Sequence, residues 1–277
     1  MTRQIAFLLI LTVLTGFSSC AQNSEITVYS GKVPDNYKPV YTSAKLNEKF
    51  EFAFKQTSLD SLEQIFHDWN GTIKPNTEAF IKQNDTIKAV FDAYREFYNP
   101  LNLLKLGDWE WGNKLNADCK YIVVQNDIAY AIQPSDTIVK FDWRTLDKTR
   151  INNFRPPLNI DNKKVLYLAD EYDVALNEFL GTESTETGEP NIMNPARPAG
   201  ESEKRYKSIR TFIPVLHGHW GGYWHLETHP DVSLIVFNKD LTIAKFEYRV
   251  GYQGGEATLV KDSKGWTIKK SEATWIE

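Results

Sequence analysis

Near the C-terminus, Ala244, Phe246, Tyr248, Val250 and Tyr252 alternate with Lys245, Glu247, Arg249 and Gly251. A period of two sends the apolar side chains to one face of a strand and the charged ones to the other. The following stretch extends the theme. Gly254-Gly255 begins a turn or bulge, Ala257 to Lys261 forms a next strand, and Asp262-Ser263-Lys264-Gly265 turns the chain into Trp266 to Lys269. This pattern predicts an antiparallel meander of three or more strands, with one wet face and one that needs cover.

Cover is available upstream. Leu59, Leu62, Phe66 and Trp69 share one helical face behind a capping pattern of Asp60 and Glu63, and Asn70-Gly71 ends that helix. A second helix is predicted from Asp85 to Tyr98, with Ile87, Val90, Phe91, Tyr94 and Phe97 inward and Asn99-Pro100 as its stop. A third runs from Leu168 to Leu180, with Asp170 as cap, Tyr172, Leu176 and Phe179 inward, and Gly181 at its end. Leu46 to Phe54 fits a helix through Leu46, Phe50 and Phe54 and equally a strand through Phe50, Phe52 and Phe54. Tyr121 to Val124 and Ile128 to Ile132 flank Asn126-Asp127 as in a hairpin, and Ile138 to Trp143 reads as a third strand. Thr182 to Lys204, acidic and rich in Pro, Gly and Ser, reads as a loop or an internal boundary.

The fold class expected is α+β: N-terminal helices packed on a curved antiparallel sheet with a C-terminal meander, in a globular domain spanning 44–277. Early helices followed by this meander, with Gly254-Gly255-Glu256-Ala257 through Gly265-Trp266 as closing strands, resemble the NTF2-like superfamily. The resemblance covers about the last fifty residues and implies a cone-shaped α+β fold, but no function, because its members include enzymes and plain binding modules.

The first twenty residues have their own layout. Arg3 supplies a positive charge, Ile5 to Leu14 form an apolar run, and Thr15 to Ser19 are mostly small. Phe17-Ser18-Ser19-Cys20 resembles the lipobox of bacterial lipoproteins. The resemblance implies a signal peptide over 1–19, lipid on Cys20, and a tether and entry segment over 20–43. The membrane would then be a partner through the N-terminal lipid. The address would be the cell envelope, in the outer membrane of a Gram-negative bacterium. An ordinary secretory signal cut near Ser19 or Ala21 is the alternative. Asp60-Ser61-Leu62, Asp85-Thr86-Ile87 and Asp136-Thr137-Ile138 resemble the short O-glycosylation motif of some Gram-negative envelope proteins.

Charge narrows the partners. A formal net charge of −4 gives no general attraction for nucleic acid, so none is expected as a partner. Of the two cysteines, lipidation of Cys20 leaves Cys119 unpaired, and it reads as a small buried hydrophobe. Eight Trp and thirteen Tyr supply a core and also suit ring-stacking ligands such as glycans. Tyr94, Tyr98 and Trp109-Glu110-Trp111 are candidates for lining a sugar cleft.

Four of the five histidines, His217, His219, His225 and His229, lie close together, interleaved with Trp220, Tyr223 and Trp224 and followed by Glu227 and Asp231. Neutral imidazoles are common ligands of zinc and other transition metals, so these four are the candidate metal ligands, with Glu227 as a possible completing group. Geometry decides whether they converge. Val215 to His219 and Tyr223 to Thr228 read as two strands about Gly221-Gly222. A three-residue turn sets His217 opposite His225 and gathers the histidines on one face, whereas a two-residue turn sets His217 opposite Leu226 and splits them. Packing of half-exposed histidines beside tryptophans is the alternative, and a ligand pocket using Trp220, Tyr223, Trp224, Glu227 and Glu256 is another. There is no HExxH helix, P-loop, GxSxG elbow or dinucleotide fingerprint. The expected function is a non-enzymatic envelope protein that binds a small ligand, glycan or partner protein. A metal-dependent or acid–base hydrolase using 217–229 and a structural assembly subunit are the alternatives.

Overall fold

The computed structural model describes residues 27–28, 38–107, 116–138, 145–181, 199–217, 224–226 and 230–276. The hydroxyl of Thr42 accepts a hydrogen bond from the Lys45 N–H and opens helix α1 (Ser43–Lys55). Leu46, Phe50 and Ala53 point inward from it, while Phe52 is 61% exposed, so the helical reading of this segment holds and the strand reading does not. Helix α2 (Leu59–Thr72) is capped by Ser58, whose Oγ lies 3.1 Å from the Ser61 N–H. Asp60 was the expected cap. It falls instead inside the first turn, where its charge suits the helix dipole. Leu62, Phe66 and Trp69 are buried as expected, but Leu59, at the very start of the helix, is 62% exposed. After the short α3 (Glu78–Ile81), the Asn84 side chain caps α4 (Asp85–Phe97), whose Ile87, Val90, Phe91, Tyr94 and Phe97 are all fully buried.

The expected hairpin at Asn126-Asp127 does not form. Strands β2 (Tyr121–Gln125) and β3 (Asp127–Ile132) are separated by Asn126 alone, too little chain to reverse direction. The backbone bends there and passes from one sheet to another. Strand β2, buried along its whole length, pairs in parallel with β5 (Lys164–Leu168). Strand β3 pairs antiparallel with β4 (Thr149–Asn152) and parallel with β8 (Asp231–Phe237). The entry segment contributes β1 (Thr27–Val28), parallel to β4.

The predicted meander is present. Strands β8, β9 (Ile243–Val250), β10 (Gln253–Asp262) and β11 (Gly265–Ile276) run antiparallel and in order, completing a seven-stranded sheet β1-β4-β3-β8-β9-β10-β11. Ala244, Phe246, Tyr248 and Val250 face inward, and the Phe97 ring of α4 stacks on Phe246 at 4.5 Å. The pairing of β10 with β11 shifts register between Gly254 and Gly255, as a bulge. A Cβ at Gly254 would lie 2.0 Å from the Trp275 ring, so any larger residue would have to displace that ring. Strand β11 extends well beyond the expected Trp266 to Lys269, because as an edge strand it is mostly exposed and carries no burial alternation.

Helix α5 (Asp170–Leu180) buries Tyr172, Leu176 and Phe179 and ends on Gly181 at φ 96°. Its N-cap is Ala169, with no side-chain cap, rather than Asp170. Part of the expected loop over 182–204 is helical, since α6 spans Ala199–Ile209. Arg205 explains why: it is 3% exposed, bonds to Glu51 and Glu201, and stacks 4.8 Å over Phe54 and 4.9 Å over Phe179. This tertiary anchor overrides a composition that reads as loop. Residues 182–198, and 139–143 of the expected strand Ile138 to Trp143, lie outside the described residues. The main core joins the four N-terminal helices, α5, the β2–β5 pair and the inner face of the large sheet, while Ala129, Leu234 and Val236 form a smaller cluster on its other face. The molecule is thus mixed α+β with a mostly antiparallel sheet.

Candidate functional site

The bend at Asn126 opens a cleft. Strands β2 and β5 are parallel and end side by side at Gln125 and Leu168. In such pairs the carboxyl ends open a crevice, because the chain leaves in divergent directions. Here β2 leaves into β3 and β5 into α5, and between them lies a cleft of about 770 Å³. That volume falls in the range of small-molecule sites.

Side-chain hydrogen bonds tie its walls together. The Gln125 side chain donates to the carbonyls of Asp127 and Val232 and accepts from the Val232 N–H at 2.7 Å, fastening β2, β3 and β8 together. Asn126 Nδ2 faces Asn153 Oδ1 at 3.5 Å, and Asn153 adopts a left-handed φ of 55° on the turn after β4. Asn126 Oδ1 is buried and has no partner.

The chemistry is dominated by acids. Asp127, Asp170, Glu171, Asp173 and Asp231 line the cleft, against Arg150 and Arg249. Arg150 lies 3.2 Å from Asp127, and Arg249 is the cross-strand neighbour of Asp231. The other three acids belong to the first turn of α5, which carries no basic residue in its last turn. Burial raises the Asp127 pKa, and the neighbouring Asp170 adds to this while Arg150 opposes it. Burial likewise raises Asp173, with the Asn177 amide opposing and Asp170 adding, and raises Glu171 against the bond to its own backbone. Carboxylates with raised pKa gathered in a crevice are a mark of functional sites.

Sequence reasoning missed this cleft. Asn126-Asp127 looked like a turn and Asp170 like a cap. The available signal was the acidic triplet Asp170, Glu171 and Asp173 immediately after a buried apolar strand, at a strand-to-helix junction.

The histidine segment is described only in part. His217 lies on β6 (Val215–His217) and His225 on β7 (Trp224–Leu226), while His219, Trp220, Tyr223, Glu227 and His229 lie outside the described residues. The register pairs Val215 with Leu226, Leu216 with His225 and His217 with Trp224. This is neither of the two registers weighed from the sequence. Successive cross-strand pairs alternate in face, so His217 and His225 occupy positions of opposite face. Among the described residues, no group of three or more His, Cys, Asp or Glu is placed to hold a metal ion.

The remaining candidates are placed as follows. Glu256 sits on the outer face of β10, with Lys245 Nζ at 2.7 Å. Tyr94 and Tyr98 are buried, with their rings stacked on each other at 5.3 Å inside the core. Trp109-Glu110-Trp111 and Cys20 lie outside the described residues. Cys119 is 2% exposed, and burial pushes its thiol up to about 12, so the inert reading fits. Ser61 and Thr86 lie in the first turns of α2 and α4, with the Ser61 hydroxyl bonded to Ser58, whereas Thr137 is exposed on a loop. No described helix is long and apolar enough to cross a membrane. Comparison with protein-family models, curated proteins and solved structures gives no match.

Proposed function

We propose that this chain is a lipid-anchored envelope protein that holds a small polar ligand in the cleft between Asn126 and Asp170. The observation that carries the reading is the cleft itself: about 770 Å³ at the carboxyl ends of β2 and β5, lined mainly by carboxylate, amide and guanidinium groups. A filled core with a flat apolar patch would have favoured assembly instead. Anchoring rests on the lipobox at Phe17-Ser18-Ser19-Cys20, and several acyl chains on Cys20 would make it stable. Within the same reading, β8 to β11 with α4 across them form the part proposed to be NTF2-like. The parallel β2–β5 pair and the parallel β3–β8 step are additions to such a meander.

A thermal-shift screen of the purified mature protein against sugars, amino acids, polyamines and dicarboxylates tests the binding reading. A ligand present at about one hundred times its Kd adds roughly 2.7 kcal/mol of stability. The expected result is a rise in Tm with at least one class, abolished by Asn126→Ala. No shift with any class would refute it. Intact mass of the membrane-extracted protein tests the anchor, with an unmodified start at Ala21 as the opposing result.

A further inference from the structure

One wall of the cleft continues along the outer face of the large sheet. On β9, Lys245, Glu247 and Arg249 alternate with the inward Ala244, Phe246, Tyr248 and Val250, which places Arg249 on the outer face. The register then carries one row of outer positions across four strands. Asp231 pairs with Arg249, Arg249 with Gly254, and Gly254 with Trp275. Asp231 and Arg249 line the cleft, so the row starts there and runs out to β11. Trp275 belongs to it because of the bulge. Ser271 faces inward, bonded to the Leu106 carbonyl, and simple alternation would send Ala273 and Trp275 inward after it. The register shift between Gly254 and Gly255 adds a residue to β11 and turns Trp275 to the outer face instead. Its indole lies over the bare backbone of Gly254, where a Cβ would meet Cε2, Nε1 and Cζ2 at 2.0, 2.1 and 2.4 Å. Trp275 is nevertheless 45% exposed.

An indole left half in water still has apolar area that a ligand can cover, and packing on Gly254 has already restricted the ring, so little ordering cost remains. The two ends of the row make different demands. A flat aromatic ligand would use the indole and leave the carboxylates, amides and guanidinium groups of the cleft unanswered. A small ion would do the reverse. A carbohydrate meets both: the C–H face of a pyranose stacks on an indole, and each of its hydroxyls can donate to a carboxylate such as Asp127 and accept from a donor such as Arg249. Reach sets the length. Strands β9 and β11 lie two strand spacings apart, about 10 Å, so a single sugar unit on Trp275 would leave the acids untouched. We propose that Trp275 is an outer subsite of the cleft and that the ligand is an oligosaccharide, with one pyranose stacked on the indole and neighbouring units in the cleft. This rests on the reading of the cleft as a binding site and names the ligand class for it.

The test is NMR titration of the purified mature protein with cellotetraose, maltotetraose and chitotetraose, and with succinate and putrescine as non-sugar probes. The Trp275 indole N–H signal is assigned by its loss in Trp275→Phe. At least one tetrasaccharide is expected to shift that signal and the amides around Asn126 and Asp170 together, in one saturable isotherm. Trp275→Ala is expected to weaken the apparent Kd roughly tenfold or more, as loss of an aromatic anchor does. Trp275→Phe, which keeps a ring over Gly254, is expected to retain most of the affinity, and the Tm of each variant reports whether it is folded. A tetrasaccharide that shifts the cleft but not the indole, or binds Trp275→Ala undiminished, would overturn the subsite and leave the cleft standing. Saturation of the cleft by succinate or putrescine, with no tetrasaccharide bound, would overturn the oligosaccharide assignment alone. A shift of the indole without the cleft would overturn the joined site, and silence toward all five probes would overturn both readings.

Discussion

Two residues show how burial and satisfaction separate. Tyr94 is fully buried, stacked on Tyr98, and its hydroxyl has no hydrogen-bond partner, whereas the Tyr98 hydroxyl donates to the Val123 carbonyl at 3.3 Å. Deleting an unsatisfied group removes its desolvation penalty without losing a bond. Tyr94→Phe is therefore expected to raise stability by about 1 kcal/mol in urea unfolding, while Tyr98→Phe lowers it by a similar amount. A charge in the cleft behaves in the same spirit. Burial raises the Asp173 pKa in the folded chain, so the folded state holds that proton more tightly than the unfolded state does. Its contribution is unfavourable at neutral pH and vanishes as pH falls below the unfolded value. Asp173→Asn, which keeps an oxygen for the bond from Asn177, should raise Tm at pH 7 and leave it unchanged near pH 3. Equal gains at both pH values would contradict this. Asp92 has the opposite sign: burial pushes it up, but bonds from Lys88 and Arg95 outweigh burial and lower it. It stabilises above the unfolded value, and that help is lost in acid.

Elements were legible wherever one face is buried and the other wet. Strand β9 alternates buried with partly exposed residues along its length, and α4 buries seven of its positions on one broad face. Both patterns could be read without knowing any neighbour. Strand β2 could be recognised as apolar but not assigned a partner, because a strand buried on both faces carries no orientation in its sequence. The hairpin error followed from this, and with it the cleft stayed hidden, since it lies where β2 and β5, paired in parallel, end side by side. The histidine ribbon failed for another reason: a shift of one residue in register reverses every face, and a glycine pair does not say which register is taken. Helix α6 was missed because its anchors are distant in sequence: Ile209 enters the main core and Arg205 reaches α1. Arg205 loses nearly all exposure between Glu51 and two aromatic rings. Arg205→Ala leaves Glu51 without its main partner and is expected to cost about 3 kcal/mol or more by denaturant unfolding. A loss below about 1 kcal/mol would mean α6 is held elsewhere.

At the level of the whole molecule, long-range side-chain bonds tie the β2–β5 pair to helix α2 on one side and to the large sheet on the other. Trp69 Nε1 and Asn70 Nδ2 of α2 donate to carbonyls of β5 at 2.9 Å, and the Gln125 amide bridges to Val232 across 107 residues of chain. The cleft is thus carried by a frame whose parts come from distant stretches of sequence, which is why no local motif announces it. The position of β3 has a temporal consequence as well. It lies mid-sheet, yet its partner β8 and the Val232 contacts belong to the last quarter of the chain. A chain emerging from its N-terminus cannot complete the large sheet, or close the wall of the cleft, until nearly all of it is available. For a protein proposed to be exported, such late closure would keep the polypeptide threadable during passage and defer folding to the far side of the membrane.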